Sequence, residues 1–135
     1  MMKKLIATAL FITFTVLAAN AQSLSVETIE FGTSVENRKI VNADSVFSNS
    51  IERVYCFTEV SGSGEATTIT HVWYMQDKEM ARVKHSGEWR NHRRTWSSKY
   101  ILEDWTGEWS VDVLNSDGKV LATKTFRVES AVADQ

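Results

Sequence analysis

Apolar and polar residues alternate along much of this chain with a period of two, the period of a β-strand, whose successive side chains leave opposite faces. EWSVDVL is the clearest case: Trp109, Val111 and Val113 fall on one side, Ser110 and Asp112 on the other. Asp-Gly at the centre of Asn115 to Lys119 predicts a tight turn, and Phe126 and Val128 mark the returning strand. Leu24 to Phe31 alternates well enough for a first strand. IERVYCFTEV and TTITHVWYM, rich in β-branched and aromatic residues, predict two more, joined through SGSG as a hairpin or as neighbours in a sandwich. Asp77 and Lys78 turn the chain into EMARVKH, and RRTWSSK follows. Between the first two strands, GTSVENRKIVNADSVFSNS is polar and reads as a loop with room for one short element. About seven short strands with turn signals between them, and no amphipathic helix, predict an all-β fold: an immunoglobulin-like antiparallel β-sandwich of open topology.

Two strands depart from the half-buried pattern. IERVYCFTEV carries Val54, Cys56 and Val60 on one face but Ile51, Tyr55 and Phe57 on the other, and THVWYM sets His71, Trp73 and Met75 against Val72 and Tyr74. A strand apolar on both faces is normally covered on both. Either the segment from Gly32 to Ser50 lies over that sheet, or an aromatic face is left for a partner.

The first residues change the picture of where the protein works. Lys3 and Lys4 precede an uncharged apolar run, Leu5 to Ala18, and a small-x-small triplet at Ala19 to Ala21, the composition of a secretory signal peptide. The run is shorter than the roughly 20 residues that cross a bilayer, and no later stretch resembles one. Residues 1–21 are thus expected to be a cleaved leader and 22–135 a single β-sandwich domain, exported to the periplasm or beyond, with no transmembrane segment after cleavage. Losing Lys3 and Lys4 leaves 13 basic against 17 acidic residues, which gives no reason to expect nucleic acid.

Chemistry is thinly signalled. Cys56 is the one cysteine, so no internal disulfide forms. If SGSG closes a hairpin, Cys56 falls nearly opposite His71 and the two could make a thiolate pair, but no third group or oxyanion site accompanies them. His71, His85 and His92 lack ligand spacing, so neither metal nor other cofactor is expected. RRTWSSK raises the sharper question, because a strand of cations, hydroxyls and one indole has no aliphatic anchor. Period two places Arg94, Trp96 and Ser98 on one face and Arg93, Thr95, Ser97 and Lys99 on the other. A buried Trp96 makes the mixture an ordinary sheet, whereas an exposed one makes a platform on which a sugar ring stacks. From Lys78 to Lys99 seven basic residues meet two acidic ones, with Glu59, Glu108 and Asp112 as counter-charges and Glu108 the expected partner of Arg94.

ERVYCFTEV, HVWYMQDKEMARV, RTWSSK and TGEWSVDVLNSDGKVL, in that order, resemble a bacterial exported family known as domain of unknown function 2914. The resemblance implies a compact β-rich domain and no particular reaction. Residues and resemblance together lead to an exported, non-catalytic binding domain of the cell envelope, taking a glycan or a protein segment. Its working surface is expected at His71, Trp73, Tyr74, Arg94, Trp96, Ser98, Lys99 and Glu108. An accessory subunit docking through Tyr55, Phe57 and Tyr74 is the second expectation, and a Cys-His thiol enzyme the third.

Overall fold

The computed structural model describes residues 24–131, so the expected leader lies outside the described residues. Seven long strands, β1 (Ser25–Gly32), β5 (Arg53–Ser61), β6 (Ala66–Met75), β7 (Lys78–Glu88), β8 (Arg93–Tyr100), β9 (Gly107–Leu114) and β10 (Val120–Glu129), carry the fold. Three short ones, β2 (Ser34–Glu36), β3 (Lys39–Val41) and β4 (Val46–Ser48), fall in the segment expected to be loop. The sheets run β1-β5-β8 and β4-β10-β9-β6-β7, with β2-β3 as a separate ribbon. Their inner faces pack together as the expected all-β sandwich. The first, second and fifth long strands share one sheet and the remaining four the other, which is the partition of an immunoglobulin-like domain.

Two expectations need correction. β5 and β6 form no hairpin: β5 pairs with β1 and β8, β6 with β7 and β9, and SGSG carries the chain from one sheet to the other. Both strands are buried inward and partly covered outward, so adjacency in sequence gave no clue to which partner each would take. The sandwich is also not wholly antiparallel, because β4 runs parallel to β10 at the sheet edge.

Alternation decides the core. Trp109, Val111 and Val113 of β9 are fully buried, while Ser110 and Asp112 face outward. The larger apolar cluster is aromatic and centres on Phe126, whose ring lies 4.5 Å from Phe31 and about 6 Å from Phe47, Trp73 and Trp109. A smaller cluster of Val60, Ile69, Trp89 and Val113 fills the other end. The three fully buried indoles each donate to a nearby acceptor: Trp73 to Ser97, Trp89 to the Thr67 carbonyl and Trp109 to the Trp105 carbonyl. Buried Tyr and Trp normally satisfy their polar tip in this way.

Turn chemistry finishes the hairpins. Asn115 Oδ1 accepts from the amides of Asp117 and Lys119, and Gly118 supplies the positive φ of 80° that the β9–β10 turn requires. In the β2–β3 ribbon Asn37 and Arg38 both sit at positive φ, 50° and 59°, the geometry of a type I′ turn. Gly32 stands where that ribbon crosses the sheet, and a Cβ there would strike the Val41 carbonyl and the Ile40 side chain.

Phe126 touches rings from both sheets, so Phe126→Ala is expected to lower stability by about 3–5 kcal/mol in urea denaturation. A loss below about 1 kcal/mol would mean that the aromatic cluster does not hold the sheets together.

Candidate functional site

The structure does not bring the eight expected site residues together. His71 and Trp73 project from β6 into the space between the sheets and are fully buried. Tyr74 points the other way, onto the outer face of the five-stranded sheet, where exposed Glu108 also lies. Arg94, Trp96 and Ser98 share the outer face of the three-stranded sheet. Lys99 leaves that face and sets its Nζ 5.2 Å from the centre of the Trp105 ring. The alternative docking group divides likewise, since Tyr55 and Phe57 belong to one sheet and Tyr74 to the other.

Buried His71 belongs to a polar seam that crosses the interior between the two apolar clusters. Trp73 Nε1 can only donate, so Ser97 Oγ accepts from it at 3.1 Å and donates to His71 Nδ1 at 2.7 Å. The Thr58 hydroxyl donates to the Thr95 carbonyl at 3.2 Å and therefore accepts from His71 Nε2–H, also at 3.2 Å. The donors run in one unbroken chain when His71 is neutral with its proton on Nε2. A second proton on Nδ1 would leave the Ser97 hydroxyl hydrogen without its acceptor. Next to it lies His85, its ring centre 4.7 Å from that of His71 and its Nδ1 3.2 Å from Thr95 Oγ1, while His85 Nε2 is buried without a partner.

This seam replaces the Cys56–His71 pair. Cys56 packs in the larger apolar cluster from β5, and neither nitrogen of His71 turns to it. Burial holds the Cys56 thiol far above its ordinary range. Among the described residues no three His, Cys, Asp or Glu side chains gather as a metal site.

The outer face of the three-stranded sheet is the more accessible place. Cross-strand rows set Tyr100 beside Arg53, Ser98 beside Tyr55, Trp96 beside Phe57 and Arg94 beside Glu59. Trp96 lies nearly parallel to Phe57, 13° between planes and 6.3 Å between centres, and keeps 38% of its surface exposed. Phe57, covered by Trp96 and the β2–β3 ribbon, is only 4% exposed. The covering segment inferred from the two-faced strand is thus present, but it shields β5 and leaves β8 open. Arg94 pairs with Glu59 at 3.2 Å, not with Glu108, and its Nη1 reaches the Arg38 carbonyl of the ribbon. Arg53 donates to Ser98 Oγ at 2.9 Å. Beside this face, ribbon and sheet enclose a cleft of about 290 Å³.

Residues 66–128 match the family described as a protein of unknown function, DUF2914. The family resemblance stands for that segment. It runs from β6 into β10, so it includes the β8 face and the buried histidines, while ERVYCFTEV in β5 precedes it. No curated protein matches the chain. Among solved structures, a β-glucosidase from Kluyveromyces marxianus is similar at 12% identity and a TM-score of 0.46, over 82% of this chain and 15% of that one. The Kluyveromyces marxianus enzyme in complex with glucose gives 15% and 0.43, over 76% and 14%. A GH3 β-glucosidase from Bifidobacterium adolescentis gives 9% and 0.45, over 80% and 17%. The chain thus spans about a sixth of the length of these enzymes, and likeness of this degree says nothing about activity.

The basic residues of the matched segment form no continuous strip. Arg93 lies 4.6 Å from the centre of the Trp89 ring, Arg90 reaches the Gly64 carbonyl, and Arg82 pairs with Glu79. Each is occupied by a neighbour, so the local excess of charge marks packing more than a binding track.

Burial, and secondarily His85 nearby, lowers the His71 pKa from 6.5 to about 3. His85 moves the same way, through burial and then the Arg93 charge. The unfolded chain therefore binds protons that the folded one refuses between these values, and stability falls as pH drops through 6.5 toward 3. For His71 alone the loss between pH 7.5 and 5 is about 2 kcal/mol at about 1.4 kcal/mol per pH unit. Urea denaturation of the wild type and of His71→Gln across that interval checks it: the variant is expected to be flatter, and parallel curves would place the His71 proton elsewhere.

Proposed function

We propose that the protein is an exported, non-catalytic binding domain of the bacterial cell envelope that holds a glycan on the outer face of its three-stranded sheet. The observation that carries this reading is Trp96, a large aromatic set beside the nearly parallel ring of Phe57 and 38% exposed. A flat apolar surface of this kind stacks against the C–H face of a sugar ring, and polar neighbours set the orientation. Ser98 and Arg94 stand on either side of it along β8, and both are held by hydrogen bonds from or to Arg53 and Glu59. Such a platform is pre-organised, so little side-chain freedom is lost on binding.

Export is supported by the leader-like composition of residues 1–21. A binding role without bond chemistry fits a thiol sunk in apolar packing and a histidine whose two nitrogens are already engaged. Docking of a protein partner through Tyr55, Phe57 and Tyr74 is the weaker reading, because these rings do not share a surface.

Five tryptophans contribute to emission, but Trp73, Trp89 and Trp109 are fully buried, so a glycan seated on the face reports mainly through Trp96. Titration with a broad panel of envelope glycans is expected to shift or quench the fluorescence, and Trp96→Ala to weaken binding by about 1 kcal/mol or more. A panel without any response, or binding undiminished in Trp96→Ala, would end the proposal.

A further inference from the structure

The cleft next to the Trp96–Phe57 stack carries the functional reading one step further. It lies between the ribbon and the sheet, with Phe57 and Ile40 providing apolar surface and Arg38, Lys39, Arg94, Glu30 and Glu59 its charges. At about 290 Å³ it sits at the low end of ligand sites, large enough for one ring of a chain. The charges are not equivalent. Arg94 and Glu59 neutralise each other at 3.2 Å, which leaves the exposed cations of Arg38 and Lys39 against the carboxylate of Glu30. A net-acidic chain therefore presents a locally cationic rim within reach of its most exposed indole.

The ribbon's turn strengthens the case. Arg38 occupies the left-handed region, φ 59°, where glycine or asparagine is the usual choice. Backbone cost is accepted there for a residue whose carbonyl is clamped by Arg94 and whose side chain lines the cleft.

We infer that this cleft is a second subsite of the glycan face and takes a sugar residue bearing a carboxylate, while Trp96 stacks the neighbouring ring. The inference rests on the glycan-binding reading above. The anion meets Arg38 and Lys39 at the rim, and its ring packs against Ile40.

The test uses a matched pair of ligands, an oligogalacturonate and the same oligosaccharide after reduction of its carboxyl groups to alcohols. Calorimetry at low salt is expected to give about fivefold tighter binding of the acidic member, a preference that shrinks as salt screens the rim. Arg38→Gly removes the cation and suits the turn's backbone, and Lys39→Gln provides a second, independent loss of charge. Both are expected to bring the affinities of the acidic and neutral members closer together. Equal affinities, or a preference that both variants retain, overturn the acidic subsite but leave the Trp96 platform standing. Failure of both ligands to bind overturns the subsite and counts against the platform together.

Discussion

His71 ties the two sheets to each other. It rises from β6 in the five-stranded sheet and bonds to Thr58 on β5 and Ser97 on β8, both in the three-stranded sheet. Apolar contacts alone are forgiving of small slides between sheets, because a displaced methyl finds another methyl. A hydrogen bond buried away from water is not forgiving, since each group it loses costs about 1–3 kcal/mol in desolvation left unrepaid. The seam divides the core into its two apolar clusters, and it admits one register in which Trp73, Ser97, His71, Thr58 and the Thr95 carbonyl all connect. A neutral histidine is required for that arrangement, so the register and the protonation state are one constraint.

The composition of RRTWSSK follows from this constraint and from β8 being an edge strand. Facing inward, Thr95 and Ser97 supply the hydroxyls that the two histidines and Trp73 need, where an aliphatic residue would leave them unpaired. Facing outward, Arg94 answers Glu59 and Trp96 lies on Phe57. Arg93 covers Trp89, and Lys99 covers Trp105. Charged side chains along a free edge also discourage pairing with a second chain. The absence of an aliphatic anchor in this strand thus follows from its pairing with β5, its contacts across the interior and its place at the edge.

How much of this was legible in the chain differs from level to level. Alternation, together with runs of β-branched and aromatic residues for β5 and β6, located all seven long strands, since both signals belong to the strand itself and need no knowledge of its partner. The inward set of β9 was readable residue by residue for the same reason. Pairing was not readable, because SGSG is as fit to join sheets as to close a hairpin, and the supposed Cys56–His71 pair fell with that hairpin. Ser97, Thr58 and Thr95 escaped notice as site residues because small hydroxyls carry no signal until a buried histidine is placed beside them. The ion partner of Arg94 was misassigned to Glu108, though Glu59 lay one strand away; without strand order, a counter-charge on another sheet looks equally close. The covering role of residues 32–50 was legible only as one of two alternatives, because a strand apolar on both faces can be covered by its own chain or by a partner.

That cover also explains why the open face sits where it does. The three-stranded sheet has β5 at its centre, and the ribbon, tethered just after β1, reaches over Gly32 and β5 before returning. Its reach ends near Arg94, whose guanidinium holds the Arg38 carbonyl. Phe57 therefore gains a roof and Trp96, one strand further, does not. An indole flanked by a nearly parallel ring and still partly exposed is held in place without being enclosed, which separates it from a side chain that is exposed merely because it is mobile. The same ribbon that closes the centre of the sheet brings Arg38 and Lys39 to the cleft that Phe57 and Arg94 also line. Cover and candidate site are consequently products of one short excursion of the chain, and shortening the ribbon would expose Phe57 and remove the cationic rim in a single step.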